Sequence, residues 1–277
     1  MLAARGRLPP PRLISPGCRR SKVKVARLYL GIPKSHYPNP ALDLSAERQK
    51  YQAQFAKWAG ELADVDFAVD ELIGSPEQVK SLKDKLAQVD GILAIHLTLA
   101  TMPIMRELLA LGRPTMIFSA PYSGHEWYEL SALRRQELGK RMEGLLTTDY
   151  SQLVAAVRPF RAIHYLREAK ILNAAESSPA DYAEAVKRQF GTEIKQVPRE
   201  RVLEFYNAVS DQDVQAETGY WLRQAAAVVE PSREEVSKSC RLALAFQKLM
   251  DEEEGTVITV DCYGSMWRKL PAYPCIG

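Results

Sequence analysis

The sequence predicts an α/β protein made of two consecutive doubly wound (Rossmann-like) parallel-sheet domains. Three observations carry that expectation. Apolar runs without polar alternation, such as Val23–Gly31, Gly91–Thr98 and Pro114–Ala120, read as strands covered on both faces. Amphipathic stretches separate them in the strand–helix–strand order of right-handed crossovers. The same alternation resumes beyond residue 150 and runs to a last strand, Thr256–Asp261.

The elements follow in order. After the strand Val23–Gly31, the residues Leu44, Tyr51, Phe55, Trp58 and Leu62 fall on one helical face, and that stripe is expected in the core. Val65–Ile73 is the second strand. Ser75-Pro76-Glu77-Gln78 forms a capping box with proline at the first helical position, and Val79, Leu82, Leu86 and Val89 supply the apolar stripe of the helix it opens. Gly91–Thr98 is the third strand. A helix carrying Ile104, Leu108 and Leu111 closes on Gly112, and Pro114–Ala120 is the fourth strand. A long charged helix is expected over Trp127–Glu143, then a short strand Leu145–Thr148. Ser151–Glu168 reads as a helix bridging to the second domain. That domain comprises strand Ala169–Ala175, a helix opened by Ser178-Pro179, strand Thr192–Val197, and helices over 199–209, 211–229 and 233–253. The last of these begins with the capping box Ser232-x-x-Glu235. The expected organisation is a disordered, basic, Pro-rich tail at 1–22, one domain at 23–150 and a second at 151–277.

Charge is distributed unevenly along the 277 residues. The formal net charge is +3, but residues 1–27 hold eight cations and no acid precedes Asp43. Setting those eight aside leaves 29 basic against 34 acidic residues, a net charge of −5. A mildly acidic body argues against a nucleic-acid partner. No window approaches the roughly 18 apolar residues of a membrane span. Arg19-Arg20 lacks the apolar run of a twin-arginine leader. Cys18, Cys240, Cys262 and Cys275 are scattered without a C-x-x-C pair, which fits a reducing cytoplasm better than a disulfide framework or a zinc site.

Ligands of open parallel sheets bind beyond the carboxyl ends of the strands. That rule selects Gly31 to Pro38, with His36 and Tyr37, then His96 and Thr98, then Ser119 to His125, with Tyr122, in the first domain. In the second it selects Asn173, Glu176 and Asp261 to Gly264. The substrate-facing candidates are Gly31, His36, Tyr37, His96, Ser119, Tyr122, His125 and Asp261. A bland alternative stands beside each: His96 shares a strand face with Ile92 and Ala94, as a hydrogen-bonded core histidine would. Glu176 and Asp261 are candidates for jointly gripping a hard cation, although no third ligand stands near them in the sequence. Arg158, Arg161, His164 and Arg167, spaced by three, read as a solvated basic helix face or an interface. The chain contains no G-x-G-x-x-G, no G-x-x-x-x-G-K-[ST], no H-E-x-x-H and no G-x-S-x-G, so dinucleotide, P-loop, zinc-protease and hydrolase-elbow chemistry lose support.

Three segments carry a resemblance. Val25-Ala-Arg-Leu-Tyr-Leu-Gly-Ile32, Tyr150 to Asn173, and Val260-Asp-Cys-Tyr-Gly264 followed by Leu270-Pro-Ala-Tyr-Pro-Cys-Ile-Gly277 together resemble the L-fucose/L-arabinose isomerase superfamily. The nearer likeness is to its fucose-isomerase-like members. The resemblance implies two Rossmann-like domains followed by a third, aldose–ketose interconversion with a divalent metal (usually Mn2+), a sugar as partner, and a homo-oligomer. Moving a proton between adjacent sugar carbons requires a base and a Lewis acid that chelates two substrate oxygens. In the family those groups follow the Pro-Ala-Tyr-Pro-Cys segment, so no catalytic or metal-ligating residue is carried onto this chain. The chain is expected to be a fragment, inactive as an isomerase by itself. The alternatives are a non-catalytic sugar-binding or regulatory module and, from another class, an interaction scaffold using the Arg158/Arg161/Arg167 face.

Overall fold

In a computed structural model, described for residues 2–4, 21–35, 37–120, 123, 130–177 and 179–275, two parallel sheets organise the chain. One compact unit comprises Ser21–His164, and the other comprises the residues from Tyr165 onward together with the strand Leu2–Ala4. After the short strand β1 (Leu2–Ala4), the first unit contributes β2 (Val23–Leu30), β3 (Val65–Ile73), β4 (Gly91–His96), β5 (Thr115–Ser119) and β6 (Met142–Leu146). Their order is β3-β2-β4-β5-β6, with every pair parallel. The chain therefore steps outward from β2 to β3, then crosses back to the other side. The direction of winding reverses between β2 and β4.

Alternation along the strands divides the core into two layers. Ala26, Leu28 and Leu30 of β2 and Ile92 and Ala94 of β4 face one way. They meet Val79 of α2 (Pro76–Ser81), Leu86 of α3 (Lys83–Leu86), Ile104 and Leu108 of α4 (Met102–Ala110) and Leu133 of α5 (Leu130–Arg134). Each such aliphatic side chain contributes about 1.5–3 kcal/mol by leaving water. The opposite layer is aromatic. Tyr51 of α1 (Leu44–Lys57) lies between Tyr29 of β2, Phe118 of β5 and Tyr150, with ring centroids 5.5–6.2 Å apart. Leu153 and Ala156 of α6 (Gln152–Ala156) and Phe160 of α7 (Arg158–Glu168) complete it. Helices thus cover both faces of the sheet, as its two-sided apolar strands require.

Arg27 sits within the aromatic layer at 9% exposure. Its guanidinium lies 4.5 Å from the Phe55 ring centre and 4.2 Å from that of Phe67, and it donates two hydrogen bonds, of 3.1 and 2.8 Å, to the Asp70 carboxylate. Gln52 donates to the same carboxylate at 3.0 Å, and Arg48 approaches it to 3.4 Å. Burial pushes the Asp70 carboxyl upward, but the hydrogen bonds and charge of Arg27, with Gln52 and Arg48, outweigh it and hold the group below its ordinary value of 3.8. Folded Asp70 therefore binds its proton less readily than unfolded Asp70. Its contribution to stability is complete above 3.8 and is lost as pH falls through the lower folded value. Chemical denaturation at pH 2–6 is expected to show a steeper acid loss for the wild type than for Asp70→Asn; equal slopes would contradict this.

Several elements differ from the sequence expectation, each for a local reason. The long charged helix over Trp127–Glu143 is not formed over its described part: α5 ends at Arg134, a 3-10 turn spans Glu137–Gly139, and β6 begins at Met142. Close approach decides this, because a Cβ on Gly139 would overlap the Leu133 carbonyl. Strand β6 then starts earlier than the expected 145–148, in register with Thr115 of β5. The helix opened by Ser75 keeps its capping box but breaks at Leu82 into α2 and α3. The bridging helix over 151–168 is broken at Val157, ahead of Pro159. The face Arg158/Arg161/His164/Arg167 is not simply solvated. Arg161 makes a two-pronged pair with Asp64 (2.9 and 2.6 Å), and His164 is 8% exposed. Because α6 and the first turns of α7 pack on the first sheet, the units divide within α7, between His164 and Tyr165, later than the 150/151 junction.

The second unit contains β7 (Lys170–Ala174), α8 (Ala180–Phe190), β8 (Glu193–Val197), α9 (Arg199–Ala208), α10 (Asp211–Gln224), β9 (Ala225–Val228), α11 (Arg233–Glu252) and β10 (Val257–Val260). Its main sheet has the order β10-β7-β8, all parallel. Leu172, Ala174 and Val197 pack on Val202 of α9 and on Leu242, Phe246 and Leu249 of α11. Gly191 ends α8 at φ +80°, a conformation open to glycine at little cost. The expected helix over 211–229 stops at Gln224; Ala225 turns extended, and β9 pairs antiparallel with β1. Leu2–Ala4, within the expected tail, forms this strand; residues 5–20 lie outside the described residues. Among the described residues no helix is long and apolar enough to cross a membrane.

Candidate functional site

Each sheet has one place where its winding reverses, and there the loops at the carboxyl ends of neighbouring strands splay apart to leave a crevice. In the first unit that place lies between β2 and β4. Gly31 follows β2 and donates its N–H to the Ile73 carbonyl at 3.0 Å. The two loops are tied directly to each other. The Ile32 N–H donates to Thr98 Oγ1 at 2.8 Å, and the Leu99 N–H donates to the Tyr37 carbonyl at 3.2 Å. Ser35 Oγ donates to the Tyr37 carbonyl at 3.0 Å. Ala100, with φ +68°, turns the second loop toward α4.

Below these loops His96 and Ser119 are paired in register on adjacent strands, and both are 1% exposed. Ser119 Oγ lies 3.3 Å from His96 Nδ1. The structure therefore brings Gly31, Tyr37, His96 and Ser119 to one end of one sheet. His96 points to the aliphatic face, with Ile92 and Ala94 on the same side of its strand. His36, Tyr122 and His125 lie outside the described residues.

The corresponding place in the second unit lies between β7 and β10. Asp261 belongs here, in a different unit from the other candidates. Its backbone N–H donates to the Ala174 carbonyl at 3.0 Å, continuing the parallel pairing. Its carboxylate accepts from the Ser265 N–H at 2.6 Å. Hydrogen bonds from Ser265, backbone and side chain, hold the carboxyl below its usual range. Gly264 leaves room for that fold-back, since a Cβ there would overlap the Asp261 carboxylate. Asp261 is thus the anchor of a turn, with its acidity spent on its own chain.

Beyond this turn is the feature that the sequence reading missed. Tyr263, Trp267 and Tyr273 are 83%, 38% and 48% exposed. Tyr263 and Trp267 stack with ring centres 5.1 Å apart, and Tyr273 follows at 5.5 Å from Trp267. The i, i+4 spacing of Tyr263 and Trp267 after a strand end was the available sign. Three exposed aromatic rings in contact form an apolar shelf at the surface. Tyr273 also lines a cleft of about 270 Å³ between the start of α11, with Lys238 and Ser239, and the segment Leu270–Pro274. Ser239 Oγ closes one wall by donating to the Tyr273 carbonyl at 3.0 Å. At the β7 side, Glu176 pairs with Lys269 at 2.7 Å, and its N–H donates to Ser265 Oγ at 2.9 Å.

These carboxylates do not fit a manganese site. Glu176 faces Lys269 with Arg199 3.9 Å away, Asp261 faces its own turn, and among the described residues no group of three His, Cys, Asp or Glu side chains is placed to hold a metal ion. Glu176 and Asp261, weighed above as joint ligands of a hard cation, are thus each engaged elsewhere. What the arrangement offers instead is a cluster of exposed aromatic rings, Tyr263 stacked on Trp267 and Tyr273 tilted 48° to it, with hydrogen-bonding and charged groups on the same segment, an apolar and polar mixture that can bind a polyol. No family model matches this chain, and no curated protein matches it significantly.

Proposed function

We propose that the chain is the sugar-recognising part of a cytoplasmic, homo-oligomeric ketol isomerase-like protein of the fucose/arabinose isomerase kind. The single observation that carries the sugar reading is the shelf Tyr263–Trp267–Tyr273 at the second crevice. A pyranose presents C–H groups on its face and hydroxyls around its edge. In this reading the face packs on an exposed ring, and the hydroxyls are left for polar groups of the neighbouring cleft such as Lys238 and Ser239. The two α/β units and the segment Leu270–Pro274, which lines that cleft, are in keeping with the resemblance. The proposed role of these residues is binding; the groups that exchange the proton and hold the Mn2+ of such enzymes are not assigned to them.

Isothermal titration calorimetry with L-fucose and L-arabinose, with and without Mn2+, tests this reading. Saturable binding is expected in the wild type, independent of the metal, and is lost in Trp267→Ala while the circular dichroism spectrum stays that of the wild type. No ketose is expected from the chain incubated with Mn2+ and either sugar. Binding that survives Trp267→Ala unchanged, or no binding at all, would remove the basis of the proposal. Ketose formation above a metal-only control would replace recognition by catalysis as the function of this chain.

A further inference from the structure

A second constellation lies at the opposite, amino-terminal end of the first sheet. Asp90 immediately precedes β4, Ser21 stands two residues before β2, and His164 is one turn from the end of α7. His164 Nδ1 is 2.8 Å from Asp90 Oδ2, and His164 Nε2 is 3.1 Å from Ser21 Oγ. An ionised carboxylate only accepts hydrogen bonds, so Nδ1 carries the proton and, in the neutral ring, Nε2 is the acceptor for the Ser21 hydroxyl. The carboxylate is itself held, because Asp90 Oδ2 also accepts the Lys24 N–H at 2.9 Å and the Asp90 N–H donates to the Lys24 carbonyl at 2.7 Å. Arg161, one turn earlier on α7, anchors the helix to Asp64, whose carbonyl accepts the Val23 N–H. The imidazole is therefore fixed and nearly buried, while Ser21 is exposed. This is the order of contacts that activates a serine: a hydroxyl on a base, and the base oriented by a carboxylate.

We propose that Ser21 and His164, positioned by Asp90, act as an acyl-transfer site for small carboxylic esters. Ser21 Oγ bonds to the ester carbonyl carbon as its proton passes to His164 Nε2. The alkoxide departs with that proton as an alcohol. Water, deprotonated by His164, then attacks the acyl-serine; the acid leaves and the proton returns to Ser21 Oγ. The net reaction is ester plus water to acid plus alcohol, with no other reactant. The exposure of Ser21 sets the substrate class, since an open surface position admits a short acyl group without a deep pocket.

The full chain treated with an alkyl fluorophosphonate provides the test. The serine oxygen bonds to phosphorus, fluoride leaves, and the hydroxyl proton passes through His164 to solvent. Peptide mapping is expected to show one adduct, on Ser21, absent from Ser21→Ala, with p-nitrophenyl acetate hydrolysed in a burst. His164→Ala should slow labelling about a hundredfold or more, and added imidazole should restore part of the rate, which a purely structural histidine would not allow. If His164→Ala fails to fold, Asp90→Asn against Asp90→Glu answers the same question, the glutamate retaining labelling and the amide losing it. An unmodified chain, an adduct elsewhere, or labelling of Ser21 indifferent to these partners would overturn the proposal.

Discussion

An Arg27→Ala variant is expected to lose about 3–5 kcal/mol of stability, the cost of removing one partner from a buried ion pair. The guanidinium is the hub of the aromatic layer. It lies against both the Phe55 and Phe67 rings and holds Asp70 with two hydrogen bonds. Truncation opens a void between the rings and leaves the Asp70 carboxylate with Gln52 and Arg48 alone. Arg27→Lys keeps the charge but cannot span both carboxylate oxygens or stack flat on the rings, so it recovers only part of the loss. Arg27→Met combined with Asp70→Asn should lose less than the sum of the single changes, because neither charge is left alone. Urea denaturation followed by circular dichroism measures Arg27→Ala, Arg27→Lys, the double variant and its two single changes. A loss below about 1 kcal/mol in Arg27→Ala, the range of exposed ion pairs, would show that the residue behaves as a surface charge.

The second large effect is expected at Gly91. A Cβ added there would overlap the ring of Phe160, which is 1% exposed beneath the first sheet. The ring cannot retreat without moving α7, so Gly91→Ala should cost about 1–3 kcal/mol, and Gly91→Val more. Glycine within a strand often marks such a close approach. Phe160→Leu, which shortens the obstructing side chain, should relieve much of the Gly91→Ala penalty in a double-mutant cycle. Additive losses would place the cost in the backbone of β4 rather than in the contact with α7.

Much of the fold was legible because it depends on local pattern. The apolar strands, the capping boxes at Ser75 and Ser232, and Gly112 closing its helix need only neighbours within a few residues. What misled was charge read without its partners. Arg27 counted with the basic amino-terminal cations, yet it is interior; His164 looked like part of a solvated stripe, yet it meets Asp90, far away in sequence. The run of charged residues after Arg134 looked helical because its interruption is a tight turn, in which only the missing Cβ of Gly139 lets the backbone close on the Leu133 carbonyl. The candidate site was half legible. The strand-end rule located both crevices, but it pointed to Asp261, which anchors a turn, and passed over Trp267.

Taken alone, the order of residues determined that this protein is α/β, that its main sheets are parallel, and which side chains cover them, since hydrophobic period and helix ends are properties of short segments. Only the tertiary structure decided which charges are buried, which carboxylates are already engaged, and which aromatic rings meet at the surface. Those outcomes depend on distances between residues far apart in the chain, such as Arg27 and Asp70 or Asp90 and His164, and no periodicity encodes such distances.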